Sequence, residues 1–115
     1  MAEKIEDYRD RLPLIYEGMR RSGKTTKLIE MFWKAYGEDK EVYIVVMNYR
    51  VKRYIIDKDP KIPEFGILHT PGHIRQTQST TQIYYFVDEW WCVNQSIRDE
   101  LIEMAWHGDR VIGFG

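Results

Sequence analysis

The segment Gly18-Met19-Arg20-Arg21-Ser22-Gly23-Lys24-Thr25 sets a lysine and a hydroxyl directly behind the second of two glycines. These residue types in this order suit phosphate. Glycines let the backbone curl so that successive N–H groups point inward at phosphate oxygens. A helix starting here adds its partial positive charge. Lys24 is then placed to reach the β- and γ-phosphates of a nucleotide, and Thr25 to set its hydroxyl on Mg²⁺. Thr26 caps the helix or touches a phosphate. A second group lies 64 residues after Lys24, where the apolar run Ile83-Tyr84-Tyr85-Phe86-Val87 ends in Asp88 and Glu89. A carboxylate beside a phosphate loop holds Mg²⁺ through its water shell. A neighbouring carboxylate orients and polarises an attacking water or hydroxyl. The plain alternatives are a glycine-rich turn with a chance lysine and a pair of solvated acids; finding both features in one chain argues against them.

Positioning such groups requires strands that deliver them to one edge. "LPLIYEG" reads as a short buried strand, and "KTTKLIEMFWKAYG" as a helix stopped by Gly37. Leu28, Met31, Phe32 and Ala35 form its apolar stripe, widened by Ile29, Trp33 and Tyr36. "EVYIVVMN" is the clearest strand. "YRVKRYIID" reads as a short helix, broken by Pro60 and Pro63. "FGILHT" reads as a brief strand, "PGHIRQTQSTTQ" as a polar loop with one helical turn, and "IYYFVDE" as a strand. "NQSIRDELIEMAWHG" reads as a helix capped through Ser96 and Asp99 and stopped at Gly108. "RVIGFG" is a last strand. Strands apolar on both faces, alternating with helices, predict a parallel sheet covered on both sides.

Length and composition bound the rest. The chain has 115 residues, room for a single domain spanning 1–115. Lys+Arg 17 against Asp+Glu 18 gives a net charge of -1, which excludes a globally basic coat for nucleic acid. Cys92 stands alone, so no internal disulfide and no multi-cysteine zinc site forms; a reducing, cytoplasmic compartment is expected. No apolar run approaches the roughly 20 residues that span a bilayer.

From Leu12 to Gly115 the chain resembles the P-loop NTPases, carried by "GMRRSGKT" and "YYFVDE". The likeness is to the branch with an additional strand and a catalytic glutamate. It implies an α/β, three-layer core with a mostly parallel sheet of four or five strands, small or truncated. It also implies Mg-dependent ATP hydrolysis. In these terms Gly18, Met19, Arg20, Arg21, Ser22, Gly23, Lys24, Thr25 and Thr26 bind nucleotide. Thr25 and Asp88 hold Mg²⁺, and Glu89 and Lys24 are catalytic. Within the branch, "RRSGKT" resembles viral DNA-packaging terminases, where a loop arginine acts on the γ-phosphate; Arg20 or Arg21 would serve. A viral chain would then work in the host cytoplasm. "VYIVVMNYR" and "HTPGH" resemble the first domain of superfamily 2 helicases. The loop, the aromatic after "DE" and "RVIGFG" also resemble thymidine kinase, although that family's zinc cysteines and lasso are missing. A polar sensor residue usual in the branch is replaced here by Gly113, Phe114 and Gly115. A non-hydrolysing nucleotide-dependent binding module is therefore the third reading.

Other residues carry expectations of their own. Arg50, Lys52, Arg53, Lys58 and Lys61 form a basic cluster that would follow a nucleic-acid backbone, with Tyr49 and Tyr54 for stacking; a solvated face is the plainer reading. Trp90 and Trp91 are expected under the following helix. His69, His73 and His107 lack metal-ligand spacing. Ser79, Thr80 and Thr81 read as a polar loop. An exposed sheet edge predicts self-association or a partner protein, with Arg98 and Arg110 as arginines offered to a neighbour.

Overall fold

The computed structural model describes residues 13–16, 21–77 and 81–115, with Arg21 and Ser22 described by backbone alone. Gly18, Met19, Arg20, Ser79 and Thr80 lie outside the described residues. The elements run β1 (Leu14–Tyr16), α1 (Arg21–Gly37), β2 (Glu41–Val45), α2 (Tyr49–Lys58), β3 (Ile67–Leu68), α3 (Pro71–Gln76), β4 (Ile83–Val87), α4 (Gln95–Trp106) and β5 (Arg110–Phe114). A single 3₁₀ turn, Glu64–Gly66, precedes β3.

The strands form one sheet in the order β1-β5-β4-β2-β3, every pair parallel. Register alternates the side chains cleanly. Val42, Ile44, Phe86, Ile112 and Phe114 face α1 and α2, where Leu28, Phe32, Ala35 and Ile55 complete one apolar cluster. Val45, Tyr85, Val87 and Val111 face the other way, onto Ile74 of α3 and Ile97, Leu101 and Met104 of α4. The inner strands β2, β4 and β5 are largely buried on both faces, as a parallel sheet demands, and read as continuous apolar runs; β1, expected to be buried, leaves Leu14 and Tyr16 exposed at the sheet edge. The result is the three-layer α/β arrangement expected.

Boundaries differ in instructive places. α1 begins at Arg21 rather than Lys24, carrying the lysine and threonine inside its first turns. It is less covered than its sequence suggests. Tyr36 is exposed and Met31 only half-buried, beside a cavity of about 450 Å³ over β1, β5 and β4. Beyond Gly37 the chain turns at Asp39, with φ 61°, a conformation that aspartate tolerates better than most residues. The cap of α4 is Asn94, which accepts from the Ile97 amide at 2.9 Å, and not the Ser96–Asp99 pattern. Asp99 instead accepts from Gln95 Nε2. Gly108, with φ 107°, ends that helix as predicted.

Trp91 departs from expectation: it is exposed, while Trp90 alone is buried. Trp90 packs across the end of β5. A Cβ on Gly113 would lie 2.8 Å from Ile15 Cδ1 and 3.1 Å from Trp90 Cβ, so that strand position has no room for a side chain. Glycine at that position is thus a packing requirement.

Candidate phosphate-binding site

In a parallel sheet all C-terminal strand ends share one edge, and ligands bind there. β1 leads toward α1 at that edge, and β4 delivers Asp88 and Glu89 to it. The distance between β1 and β4 is two strand spacings, about 10 Å. α1 packs against the sheet on the β4 and β2 side, which swings its first turns across that gap. Lys24 Nζ consequently meets Glu89 Oε1 at 2.9 Å. Residues far apart in sequence converge as their types suggested.

Lys24, Thr25 and Asp88 are buried, at 7%, 9% and 4% exposure. Glu89 remains partly open, and Thr26 is exposed. A Cβ on Gly23 would meet nothing within 4 Å, so the space beside that glycine is open among the described residues. The acidic segment is held rigidly by its backbone. The Asp88 amide donates to Val45 O at 2.9 Å, and the Trp90 amide to Phe114 O at 2.9 Å. Cys92 and Val93 amides both donate to Glu89 O. Arg98 Nη1 donates to the carbonyls of Val93 at 2.6 Å and Trp90 at 3.2 Å, fastening the loop to α4. Arg98, one of the two arginines expected to be offered to a neighbour, is here engaged by carbonyls of its own chain. Arg110 starts β5, at the opposite edge of the sheet from this site.

Glu89 sits at φ 55°, a left-handed conformation uncommon for a non-glycine residue and worth about 1–2 kcal/mol of strain. It turns the chain sharply off β4 and aims the carboxylate at Lys24. Cys92 Sγ lies 3.7 Å from the other Glu89 oxygen.

Asp88 carries the most perturbed carboxyl of the site. Burial, then the neighbouring Glu89 charge, push its pKa up to about 6, against a smaller downward pull from Lys24. Its Oδ1 is buried without a hydrogen-bond partner. A buried carboxylate oxygen with nothing to accept from is costly unless something else supplies a positive charge. A divalent cation is such a group. Mg²⁺ keeps most of its waters and takes few protein oxygens, and Thr25 and Asp88 are the residues here that could hold it. Among the described residues no group of three or more His, Cys, Asp or Glu gathers as a metal cage.

Other expected residues are scattered. The basic cluster divides: Lys52 is buried, Arg53 Nη2 lies 3.9 Å from Asp57, and Arg50, Lys58 and Lys61 are exposed. Tyr49 and Tyr54 are exposed. His107 caps the end of α4. Two features escaped the sequence reading. Arg98 as a loop clamp carries no local signal, because its partners are backbone carbonyls. Burial of Lys52 was visible in principle, since Lys52 and Ile55 are spaced to share one helix face. No family model matches the chain, and no curated protein is similar enough to count as a relative. Among the described residues no helix is long and apolar enough to cross a membrane.

Proposed function

We propose that the chain is a Mg-dependent ATPase of the P-loop class. The observation that carries this is the convergence of Lys24 with Glu89 at 2.9 Å, beside the buried, unpartnered Asp88. A chance lysine in a glycine-rich turn has no reason to meet the acids at the end of a strand 64 residues later. The sheet order supports the same reading: β5, which follows the acidic strand, lies between β1 and β4 and so matches the additional strand of that branch.

The roles follow from position. Lys24 leaves Glu89 and neutralises the β- and γ-phosphate oxygens. Thr25 and Asp88 hold Mg²⁺, which draws charge from the phosphates when bound. Glu89, freed from Lys24, accepts a hydrogen bond from the attacking water and takes its proton as the water oxygen bonds to the γ-phosphorus and the bond to the β-γ bridging oxygen breaks, that oxygen leaving on ADP. The backbone around Gly23 approaches phosphate because no side chain stands there. An arginine from the loop, Arg20 or Arg21, adds positive charge at the γ-phosphate. Coupling to nucleic acid, as in a packaging motor or helicase, or to a homo-oligomer or partner protein, belongs to the same proposal.

The test is phosphate release from Mg-ATP by the purified chain, with and without duplex and single-stranded DNA. Turnover that disappears in Lys24→Ala and in Glu89→Gln, with nucleotide still bound by the second, is the expected result. Transfer of phosphate to a nucleoside instead of water would make the chain a kinase. Binding without turnover under every condition would make it a nucleotide-dependent binding module.

A further inference from the structure

Glu89 stands at φ 55°, where a glycine would sit without strain. A turn that needed only to redirect the chain would favour glycine or asparagine there. A glutamate in that place is kept for its side chain, and its surroundings must hold it. Its two carboxylate oxygens have different partners: Oε1 meets Lys24 Nζ at 2.9 Å, and Oε2 accepts from Cys92 Sγ at 3.7 Å. A nucleotide that claims Lys24 takes the stronger of these ties away, and the carboxylate is then aimed by the loop that carries it. The Cys92 and Val93 amides close that loop on Glu89 O at 2.8 and 3.2 Å. The carbonyls of Trp90, Trp91 and Val93 all turn toward one nitrogen, Arg98 Nη1, at 3.2, 3.4 and 2.6 Å. Arg98 Nη2 donates to Gln95 Oε1 at 3.0 Å, which fixes the plane of the guanidinium. Arg98 itself stands in the first turn of α4, anchored by the Asn94 cap and the buried Ile97 and Leu101.

Hydrogen bonds from a charged donor are the strong ones, and three carbonyls gathered on one guanidinium nitrogen tie a whole segment to the helix. Those carbonyls belong to the residues that directly follow the strained glutamate. We propose that Arg98 is a positioning residue for Glu89: it clamps the backbone of Trp90, Trp91 and Val93, keeps Glu89 left-handed, and leaves Oε1 as the oxygen that takes the proton of the attacking water. Oε2 stays against the Cys92 thiol, on the clamped side of the loop. The water oxygen bonds to the γ-phosphorus, its proton passes to Oε1, and the β-γ bridging oxygen leaves on ADP. Arg98 acts through Glu89 and not on the nucleotide. This role rests on the ATPase reading of the site. A second arginine tie on α4 supplies a control. Arg75 Nη1 lies 3.0 Å from Glu100 Oε2 and joins α3 to α4 without touching the acidic loop.

The test compares the full chain with Arg98→Met, Arg98→Lys and Arg75→Met, each assayed well below its melting temperature. Turnover is measured against Mg-ATP concentration, and amide hydrogen exchange is followed in the nucleotide-free chain. Arg98→Met is expected to lower kcat by about tenfold or more and to leave KM within about twofold, because the base loses its aim while the phosphate grip is kept. Arg98→Lys should recover part of that loss, since an ammonium among the same carbonyls has N–H donors for each. The Cys92 and Val93 amides should exchange about tenfold faster or more in Arg98→Met, with Leu101 and Met104 of α4 unchanged. Arg75→Met should keep the parent's kcat. Should Arg98→Met fail to fold, Arg98→Gln, which still offers an N–H to one carbonyl, gives the same comparison. Parental kcat in the Arg98 variants overturns the proposal. So does an equal loss in Arg75→Met, or faster exchange along all of α4, since either makes Arg98 a support of the helix and not of Glu89. A raised KM at unchanged kcat overturns it by placing Arg98 on the nucleotide. A parent without turnover overturns the ATPase reading, and the role of Oε1 with it; a parent that turns over beside an indifferent Arg98→Met overturns the clamp alone.

Discussion

Asp88 shows how a single residue can be set against the stability of its own fold. An aspartate is ordinarily ionised above about pH 4, whereas burial holds Asp88 protonated up to about 6. Its folded pKa is raised, so the native state gains relative to the unfolded one below pH 4. That gain is lost as pH rises through 6. At pH 7 the ionised carboxylate costs about 3 kcal/mol. Asp88→Asn is therefore expected to raise the melting temperature at pH 7 and to change it little at pH 4. A thermal unfolding series across that range checks it, and equal shifts at both ends would remove the burial argument. Because Mg²⁺ requires the ionised carboxylate, the affinity for Mg-nucleotide should fall as pH drops below 6, by up to about tenfold per unit. Gly23→Ala separates folding from ligand approach. Its Cβ meets nothing in the protein, so the fold should survive at a cost of under about 1 kcal/mol or a slight gain. Nucleotide affinity should drop sharply if phosphate lies there, as read by calorimetric titration.

Elements decide where those residues meet. β5 is the tightest junction, because Ile15 of β1 and Trp90 after β4 close over Gly113 from one side. Gly113→Ala should destabilise the chain by about 1–3 kcal/mol, since the clash is with a side-chain stem as well as a methyl tip; denaturant unfolding reads this directly. Arg98 pins the acidic loop to α4 through carbonyls, and Arg98→Met should cost about 1.5–3 kcal/mol. At this scale much was legible in the sequence. "IYYFVDE" announced a strand ending in acids, because five apolar residues in a row suit only a doubly covered strand. The helix after "LIY" was equally plain, although it begins at Arg21 rather than Lys24; residues 17–20 lie outside the described residues. Trp90 and Trp91 were not separable: adjacent residues leave a turn in directions set by the φ of Glu89, which no pattern discloses. The α4 cap was misplaced because Asn94, Ser96 and Asp99 are all competent caps, and the loop length chooses among them. Lys52 was read as part of a basic face because its type outweighed its position beside Ile55.

For the whole molecule, one sheet carries all its strand ends to a single edge, and the candidate phosphate-binding site lies along it. A ligand that binds only the folded chain stabilises all of it. On the proposed reading, Mg-ATP at about a hundredfold excess over its dissociation constant should add about 2.7 kcal/mol. Lys24→Ala should lose that shift, which differential scanning calorimetry can resolve. On the opposite flank, Leu14 and Tyr16 of β1 are exposed apolar residues on a strand that pairs only with β5 among the described residues. Such an edge favours association. Sedimentation should show average mass rising with concentration, and Leu14→Lys should flatten that rise.

The contact between Lys24 and Glu89 has a consequence for affinity. On the proposed reading, the Glu89 carboxylate occupies the lysine that a phosphate would claim, so the chain carries its own tethered competitor. Every ligand must first displace it, at the cost of an ion pair whose lysine is almost wholly buried. Removing the competitor's charge should make the inactive Glu89→Gln chain hold both ATP and ADP more tightly than the parent, by about the same factor.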